Sequence, residues 1–233
     1  MKVVVFSGAG MSAESGIQTF RDANGLWASY AIEEVATPQA WRQDPAKVQG
    51  FYNERRKQII NAEPNEAHHA IKKLEDQSDV VIITQNIDDL HERAGSTNVM
   101  HLHGNIRYAK SSGPKQEKKY YAIDGWELTM NDLCEDGYPL RPHVVWFGEE
   151  VPMLEMAAIE ISTADVLIVI GTSLQVYPAA SLVHLAPTPS IKYLIDPKAD
   201  SLSVPSDFKL LAISASDGMD FLLENLPDIF SSN

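Results

Sequence analysis

Four short runs of apolar, mostly β-branched residues set the frame for this chain: Val3 to Phe6, Val80 to Thr84, Val166 to Ile170 and Ile191 to Ile195. A fifth, Lys209 to Ile213, is weaker. The runs are apolar throughout rather than alternating, which suits strands of a parallel sheet covered on both faces. Helical patterns lie between them. Asn65 can cap a helix to Asp76, along which Ala67, Ala70, Ile71 and Leu74 form a stripe. Met153 to Ser162 and Gly218 to Asn225 read the same way. Strands alternating with helices predict an α/β fold with a doubly wound, Rossmann-like parallel sheet. Residues 27–62 carry no strand-like run and look helical, and residues 107–140 are polar and broken by Gly113, Pro114, Gly125 and Gly137. These two insertions are expected to form a second, smaller lobe. Residues 1–26, 63–106 and 141–233 then make the large lobe of a single domain, with a ligand cleft between the lobes.

Hydrophobic residues make up 44% of the 233, enough for a buried core and against disorder. Thirty-two acidic residues outweigh nineteen basic ones, for a net charge of -13. Such a surface disfavours nucleic acid, which needs a basic face, and suits a partner that carries lysines. No apolar run approaches the roughly 20 residues of a membrane span, and the amino-terminus lacks the pattern of a signal peptide. A soluble, cytoplasmic protein without membrane partners is expected. With one cysteine, Cys134, neither an internal disulfide nor a zinc site of several thiolates can form. Oligomeric state is left open.

Gly8-Ala9-Gly10 follows the first strand directly. A strand, a tight glycine turn and a helix start is an arrangement that lets backbone approach a pyrophosphate. Here the spacing falls short of the full dinucleotide fingerprint, because Ala13 stands where a third glycine would be, and a glycine turn after a strand is also ordinary structure. The continuation is more specific: residues 8–21 read GAGMSAESGIQTFR. Four further motifs follow in order. They are Thr84-Gln85-Asn86-Ile87-Asp88, His101-Leu102-His103-Gly104-Asn105, Leu140 to Glu149 (LRPHVVWFGE) and Gly171-Thr172-Ser173. Together they resemble the signatures of the sirtuin family of NAD-dependent protein lysine deacylases, over nearly the whole chain.

That resemblance implies NAD as cofactor and an acylated lysine in a protein or peptide as substrate. The acyl oxygen attacks the ribose carbon as nicotinamide leaves. A histidine then takes a proton from a ribose hydroxyl, which attacks the acyl carbon and gives O-acyl-ADP-ribose and free lysine. His103, followed by Gly104, matches the catalytic base, a role that needs a group titrating near neutrality. His101, two residues away, reads as a supporting residue. Asn86 and Asp88 match residues around the nicotinamide and its ribose, with Gln85 and Ile87 beside them. Gly8, Ala9, Gly10, Ser12, Ala13, Glu14 and Ile17 belong to the cofactor loop. Phe20, Arg21 and Trp27 belong to a segment expected to close over the cofactor. Gly171, Thr172 and Ser173 end a strand where open α/β folds bind ligands. Asp196, where the family commonly has asparagine, is expected to face the adenosine ribose, and Ala215 the adenine. Val144, Val145, Phe147 and Gly148 match the segment that pairs with the substrate peptide as an added strand.

Ala36, Tyr52 and Arg55 stand in sequences similar to those of sirtuins that remove succinyl and malonyl groups. Tyr52 and Arg55 are spaced i, i+3 and share a helix face. Together they are suited to bind a distal carboxylate, with small Ala36 leaving room for the chain. The plainer alternative makes Arg55 and Arg56 an exposed face and Tyr52 ordinary packing. The chain departs from the family where most members hold four zinc cysteines: residues 107–114 have none, and the second region has only Cys134. No zinc is expected. His68 and His69, adjacent on a helix, point apart and make a poor metal pair. Tyr120, Tyr121 and Trp126 are expected to supply a small core in place of the metal, and Lys115, Lys118 and Lys119 a solvated face. Two other enzymatic outcomes on the same fold, ADP-ribosyl transfer and NAD hydrolysis, stay open, as does a non-enzymatic NAD sensor.

Overall fold

In the computed structural model, which describes residues 1–18, 30–114 and 119–231, the apolar runs form the middle of one sheet. The chain begins with strand β1 (Lys2–Ser7), followed by helices α1 (Ile32–Val35), α2 (Pro38–Gln43), α3 (Pro45–Asn61) and α4 (Glu66–Glu75). Strand β2 (Asp79–Thr84), helix α5 (Leu90–Arg93) and strands β3 (Val99–His101), β4 (Gly104–Ser111), β5 (Tyr121–Ala122) and β6 (Leu140–Val144) come next. Helix α6 (Leu154–Ser162), strands β7 (Val166–Ile170), β8 (Ile191–Ile195) and β9 (Phe208–Leu211), and helix α7 (Ala215–Ser231) complete the order. The large sheet runs β3-β2-β1-β7-β8-β9, and each pairing is parallel. Strand order proceeds one way from β1 and the other way from β7. A crevice opens at such a reversal, beyond the carboxyl ends of the two strands.

Both faces of the sheet are covered, as unbroken apolar strands require. Val3, Val5, Ile82, Val166 and Ile168 pack with Ala67, Ile71 and Leu74 of α4 and Met219 and Leu222 of α7. Their neighbours Val4, Phe6, Val81, Leu167 and Val169 pack on the opposite side with Ala157 and Ile161 of α6. Asn65 caps α4 as expected, accepting from the N–H groups of Ala67 and His68. The glycine turn after β1 leads into a single short 3-10 segment, Ala9–Ser15, which ends at Gly16. It is not the start of a long helix, so little macrodipole is available to a pyrophosphate there.

Helices α1 to α3 and a three-stranded antiparallel sheet, β5-β4-β6, stand beside the large sheet. The region that lacks zinc cysteines is built differently from the expectation. Its core is Ala109, Ile123, Leu128, Cys134 and Leu140, with Tyr121 against it. Tyr120 and Trp126 are exposed instead: Tyr120 stacks on the His143 ring, and Trp126 lies under Lys57. Two side chains of α3 hold this region by its backbone. Asn53 exchanges two bonds with Leu128, and the fully buried Arg56 donates to the carbonyls of Ile106 and Trp126. Lys119 is exposed and pairs with Glu135, whereas Lys115 and Lys118 lie outside the described residues.

Candidate active site

A cleft of about 780 Å³ opens at the switch point between β1 and β7 and extends under the α1–α3 side. Its floor is made where the turns after the two strands interlock. Gly8 N–H donates to the Ile170 carbonyl at 3.0 Å and Gly10 N–H to the Gly171 carbonyl at 2.7 Å. Gly171 has φ +61°, and a Cβ there would lie 2.1 Å from the Met11 nitrogen, so only glycine fits. Gly8, Ala9, Gly10, Ser12, Ala13 and Ile17 line one side of the cleft, and Gly171, Thr172 and Ser173 face them.

The turn after β2 brings Gln85, Asn86, Ile87 and Asp88 to the same cleft. Asn86 Nδ2 donates to the Gly8 carbonyl and to Ser12 Oγ, and Ser12 in turn donates to Asp88 at 3.0 Å. Burial pushes the Asp88 carboxyl above its ordinary value, although bonds from Leu90 N–H and Ser12 oppose it. These hydrogen bonds tie the first and second motifs together, so the polar end of the cleft is preorganised.

His103 lines the cleft just beyond β3. Its Nδ1 lies 2.9 Å from the Gln85 carbonyl, which can only accept, so Nδ1 carries the proton. Nε2 has no hydrogen-bond partner among the described residues and keeps its lone pair. Burial lowers the ring's pKa, against a smaller opposing effect of the Gln85 bond. A neutral imidazole with a free Nε2 is the form a general base needs. His101 is built the other way. Its ring bonds the Asn86 carbonyl at 3.0 Å and Glu92 at 2.7 Å, two acceptors that suit a protonated ring. Burial opposes that charge, but Glu92 outweighs it and the pKa is raised. His101 thus supports the turn, with both ring nitrogens engaged.

The opposite wall holds Ala36, Tyr52 and Arg55. Tyr52 is 2% and Arg55 7% exposed, so neither belongs to a solvated helix face. Arg55 Nη1 donates to the Gln18 carbonyl at 3.1 Å, and the Tyr52 hydroxyl accepts from Trp146 Nε1 at 3.1 Å. Burial lowers the Arg55 pKa, with Asp88 the leading charge that opposes the shift. Burial also pushes the Tyr52 phenol up, so it stays neutral and keeps a proton to donate.

Val144, Val145, Phe147 and Gly148 form the rim beside this wall. Val145 N–H donates to the His103 carbonyl and Phe147 N–H to the Ala36 carbonyl, so the rim joins His103 to the wall that holds Ala36. Its shape depends on Arg141, which is buried, pairs with Glu149 at 2.7 Å and stacks on Trp146 at 3.3 Å. Trp146 and Glu149 also reach the cleft. Their motif was visible in the sequence, but its clamp was not. Asp196 lines the far end with Lys198 and Leu202. Tyr177, 70% exposed, also reaches the cleft. The only sequence signal for Tyr177, Lys198 and Leu202 is that they follow the carboxyl ends of β7 and β8.

Glu14 and Ala215 do not line the cleft. The Glu14 carboxylate turns away to accept Ser216 N–H at the start of α7, and Ala215 is buried there. Phe20, Arg21 and Trp27 lie outside the described residues. Among the described residues, no cluster of three or more His, Cys, Asp and Glu is suited to hold a metal, and no helix is long and apolar enough to cross a membrane.

A family model described as the Sir2 family matches residues 8–178. An NAD-dependent protein deacylase of Bacteroides thetaiotaomicron is 47% identical over 227 residues, 96% of this chain and 97% of that protein. One from Helicobacter pylori is 48% identical over 231 residues, 98% of this chain and 99% of that protein. Among solved structures, a Sir2 homolog–NAD complex is 40% identical, with a TM-score of 0.86 over 98% of this chain and 90% of that chain.

Proposed function

This chain belongs to the Sir2 family, and we propose that it is an NAD-dependent protein lysine deacylase that favours acyl groups ending in a carboxylate, succinyl and malonyl, and also accepts acetyl. The observation that carries this reading is one cleft with a neutral histidine, Nε2 free, on one wall and a buried arginine on another. NAD, when bound, supplies the ribose carbon that nicotinamide leaves and the ribose hydroxyl that receives the acyl group. The residues present fit it. Gly8, Gly10 and Gly171 let two backbone turns close tightly beneath the cleft, and polar groups follow along its length. Asn86 and Asp88 hold the amide and ribose of the nicotinamide end. Thr172, Ser173 and Asp196 accept from or donate to hydroxyls toward the adenosine end. His103 Nε2 takes the hydroxyl proton. The Val144–Gly148 rim pairs with the peptide backbone, so side-chain preference around the lysine is loose.

Arg55 and Tyr52 give the wall beside Ala36 a buried cation and a neutral donor, a pair suited to a terminal carboxylate. The described parts of 27–62 and 107–140 make the smaller of two proposed lobes, and the first of them supplies this wall. A reducing cytoplasm suits the lone thiol Cys134. The test is one peptide bearing acetyl-, malonyl- or succinyl-lysine, assayed for kcat/KM with nicotinamide and O-acyl-ADP-ribose as products. Higher values for the acidic acyl groups support the reading. Nicotinamide release that is equal without any peptide assigns the cleft to NAD hydrolysis.

A further inference from the structure

A buried chain of polar side chains runs behind His103 to the point where the ring is anchored. Strands β1 and β2 lie side by side with Ser7 opposite Thr84. After its first residue, Lys2 or Asp79, each strand is apolar until this last position, where it ends in a hydroxyl with no exposed surface. Ser7 Oγ donates to Thr84 Oγ1 at 2.9 Å, and Thr84 Oγ1 accepts the Asn86 N–H at 3.0 Å. On the other side, Ser7 Oγ lies 3.0 Å from Nε2 of His91, a ring on α5 that is 1% exposed. Because the Ser7 proton points to Thr84, His91 is the donor in that contact.

The Asn86 N–H and the Gln85 carbonyl belong to one peptide unit. Thr84 holds its N–H end, and His103 Nδ1–H binds its carbonyl end at 2.9 Å. A peptide unit is planar and stiff, so fixing the direction of the N–H fixes that of the carbonyl. Hydrogen bonds at the two ends of an amide also polarise one another, making the carbonyl a stronger acceptor. A stronger acceptor at Nδ1–H in turn makes Nε2 more basic.

We propose that Thr84, backed by Ser7 and His91, is a positioning residue for the base, acting on His103 through the 85–86 peptide. This inference rests on the reading of His103 as the base. Packing alone does not explain the choice of residues. Valine has the shape of threonine without the cost of burying a hydroxyl, and three buried polar groups in series are justified only by what they bond.

The test compares Thr84→Val, which keeps the shape and removes the acceptor, with Thr84→Ser, which restores it. Two readouts are used on the full chain: the midpoint of the His103 ring titration by NMR without substrate, and kcat with saturating NAD and acyl-lysine peptide. The charged groups of the cleft lining, Asp88, Arg55, Glu149, Asp196 and Lys198, and the His101–Glu92 pair on the Asn86 carbonyl are left in place. In Thr84→Val the His103 midpoint is expected to fall by about half to one pH unit, with the acid limb of the kcat profile moving with it. The rate is expected to fall about tenfold, while Kd for NAD changes by less than about threefold and Thr84→Ser restores both readouts. Should Thr84→Val fail to fold, Ser7→Ala, one link further back, is expected to shift the midpoint in the same direction by less. An unchanged His103 midpoint in either folded variant, or an equal loss in Thr84→Ser, overturns the proposal. If the wild-type chain releases no nicotinamide in response to acyl-lysine, the functional reading fails. The ring titration still decides whether Thr84 acts on His103.

Discussion

Replacing Arg55 with methionine separates acyl selectivity from catalysis. The side chain sits on the cleft wall, 7% exposed, and methionine keeps most of its apolar stem while removing the guanidinium. A hydrogen bond to a charged group contributes about 1.5–3 kcal/mol. Since 1.36 kcal/mol is tenfold in rate, kcat/KM for succinyl- or malonyl-lysine is expected to fall roughly tenfold to 150-fold. Acetyl-lysine has no distal carboxylate to lose. Two side effects follow from the geometry and must be separated out. The Gln18 carbonyl loses its donor, which costs about 1 kcal/mol of stability. Asp88 also loses a nearby cation, and with it some ability to stay ionised. The second effect weakens the nicotinamide end equally for every acyl group, so the ratio of succinyl to acetyl kcat/KM is the informative quantity. Both substrates are assayed on one peptide sequence, after thermal unfolding shows the variant folded. A ratio unchanged from wild type, with both activities reduced together, refutes the assignment and makes Arg55 structural. Tyr52→Phe is expected to move the ratio the same way by less, because a single neutral donor is lost.

Gly171→Ala is expected to destabilise the chain by about 3 kcal/mol or more, since it combines φ +61° with a Cβ 2.1 Å from the Met11 nitrogen; a thermal midpoint within a degree or two of wild type contradicts this. Acid should unfold the protein more easily than neutral buffer does. Burial lowers the pKa of His68 from 6.5 to about 4, and of His91 and His143 in the same direction, so the unfolded state binds protons first as pH falls. Their stabilisation is complete above about pH 6.5 and is lost as pH falls toward 4, about 3 kcal/mol for His68 alone. His101, whose pKa is raised, contributes the opposite slope at higher pH. Urea midpoints measured from pH 7 to 4.5 test the sum, and a flat profile rejects it. Dialysis against a chelator should leave both folding and turnover unchanged, whereas stoichiometric zinc lost together with structure shows that ligands were missed.

Strands with both faces buried announce themselves in sequence, because every position is apolar: β7 and β8 coincide with the runs at 166–170 and 191–195. The edge strand β3 has three residues, all half-buried, and no such run marks it. Helix α7 starts at Ala215, three residues before the expected Gly218, because Ser214 accepts the Asp217 N–H and Glu14 the Ser216 N–H. Only the first of these bonds is local in sequence. The motifs pointed to His103 and the Asn86–Asp88 turn, and these residues line one cleft, since residue type beside a strand end is local in sequence. What they did not contain was the partner at long range. Nothing near Arg56 indicates that it reaches Trp126, and nothing near Glu14 indicates that it faces α7 rather than the cleft. Aromatic residues in the zinc-less region misled for a related reason. In Tyr120 and Trp126 large apolar area is used in stacking at the surface, whereas smaller Ile123, Leu128 and Cys134 fill the core.

The most direct measurement is nicotinamide release from NAD by wild type and by His103→Ala, each with and without an acyl-lysine peptide. Release by wild type is expected to require the peptide and to be matched by equal amounts of free lysine and O-acyl-ADP-ribose. In His103→Ala, acyl transfer is expected to slow by about 100- to 10,000-fold, with NAD still bound. Release by wild type that is indifferent to the peptide, or near-wild-type deacylation by a folded His103→Ala variant, contradicts the role of His103 in deacylation.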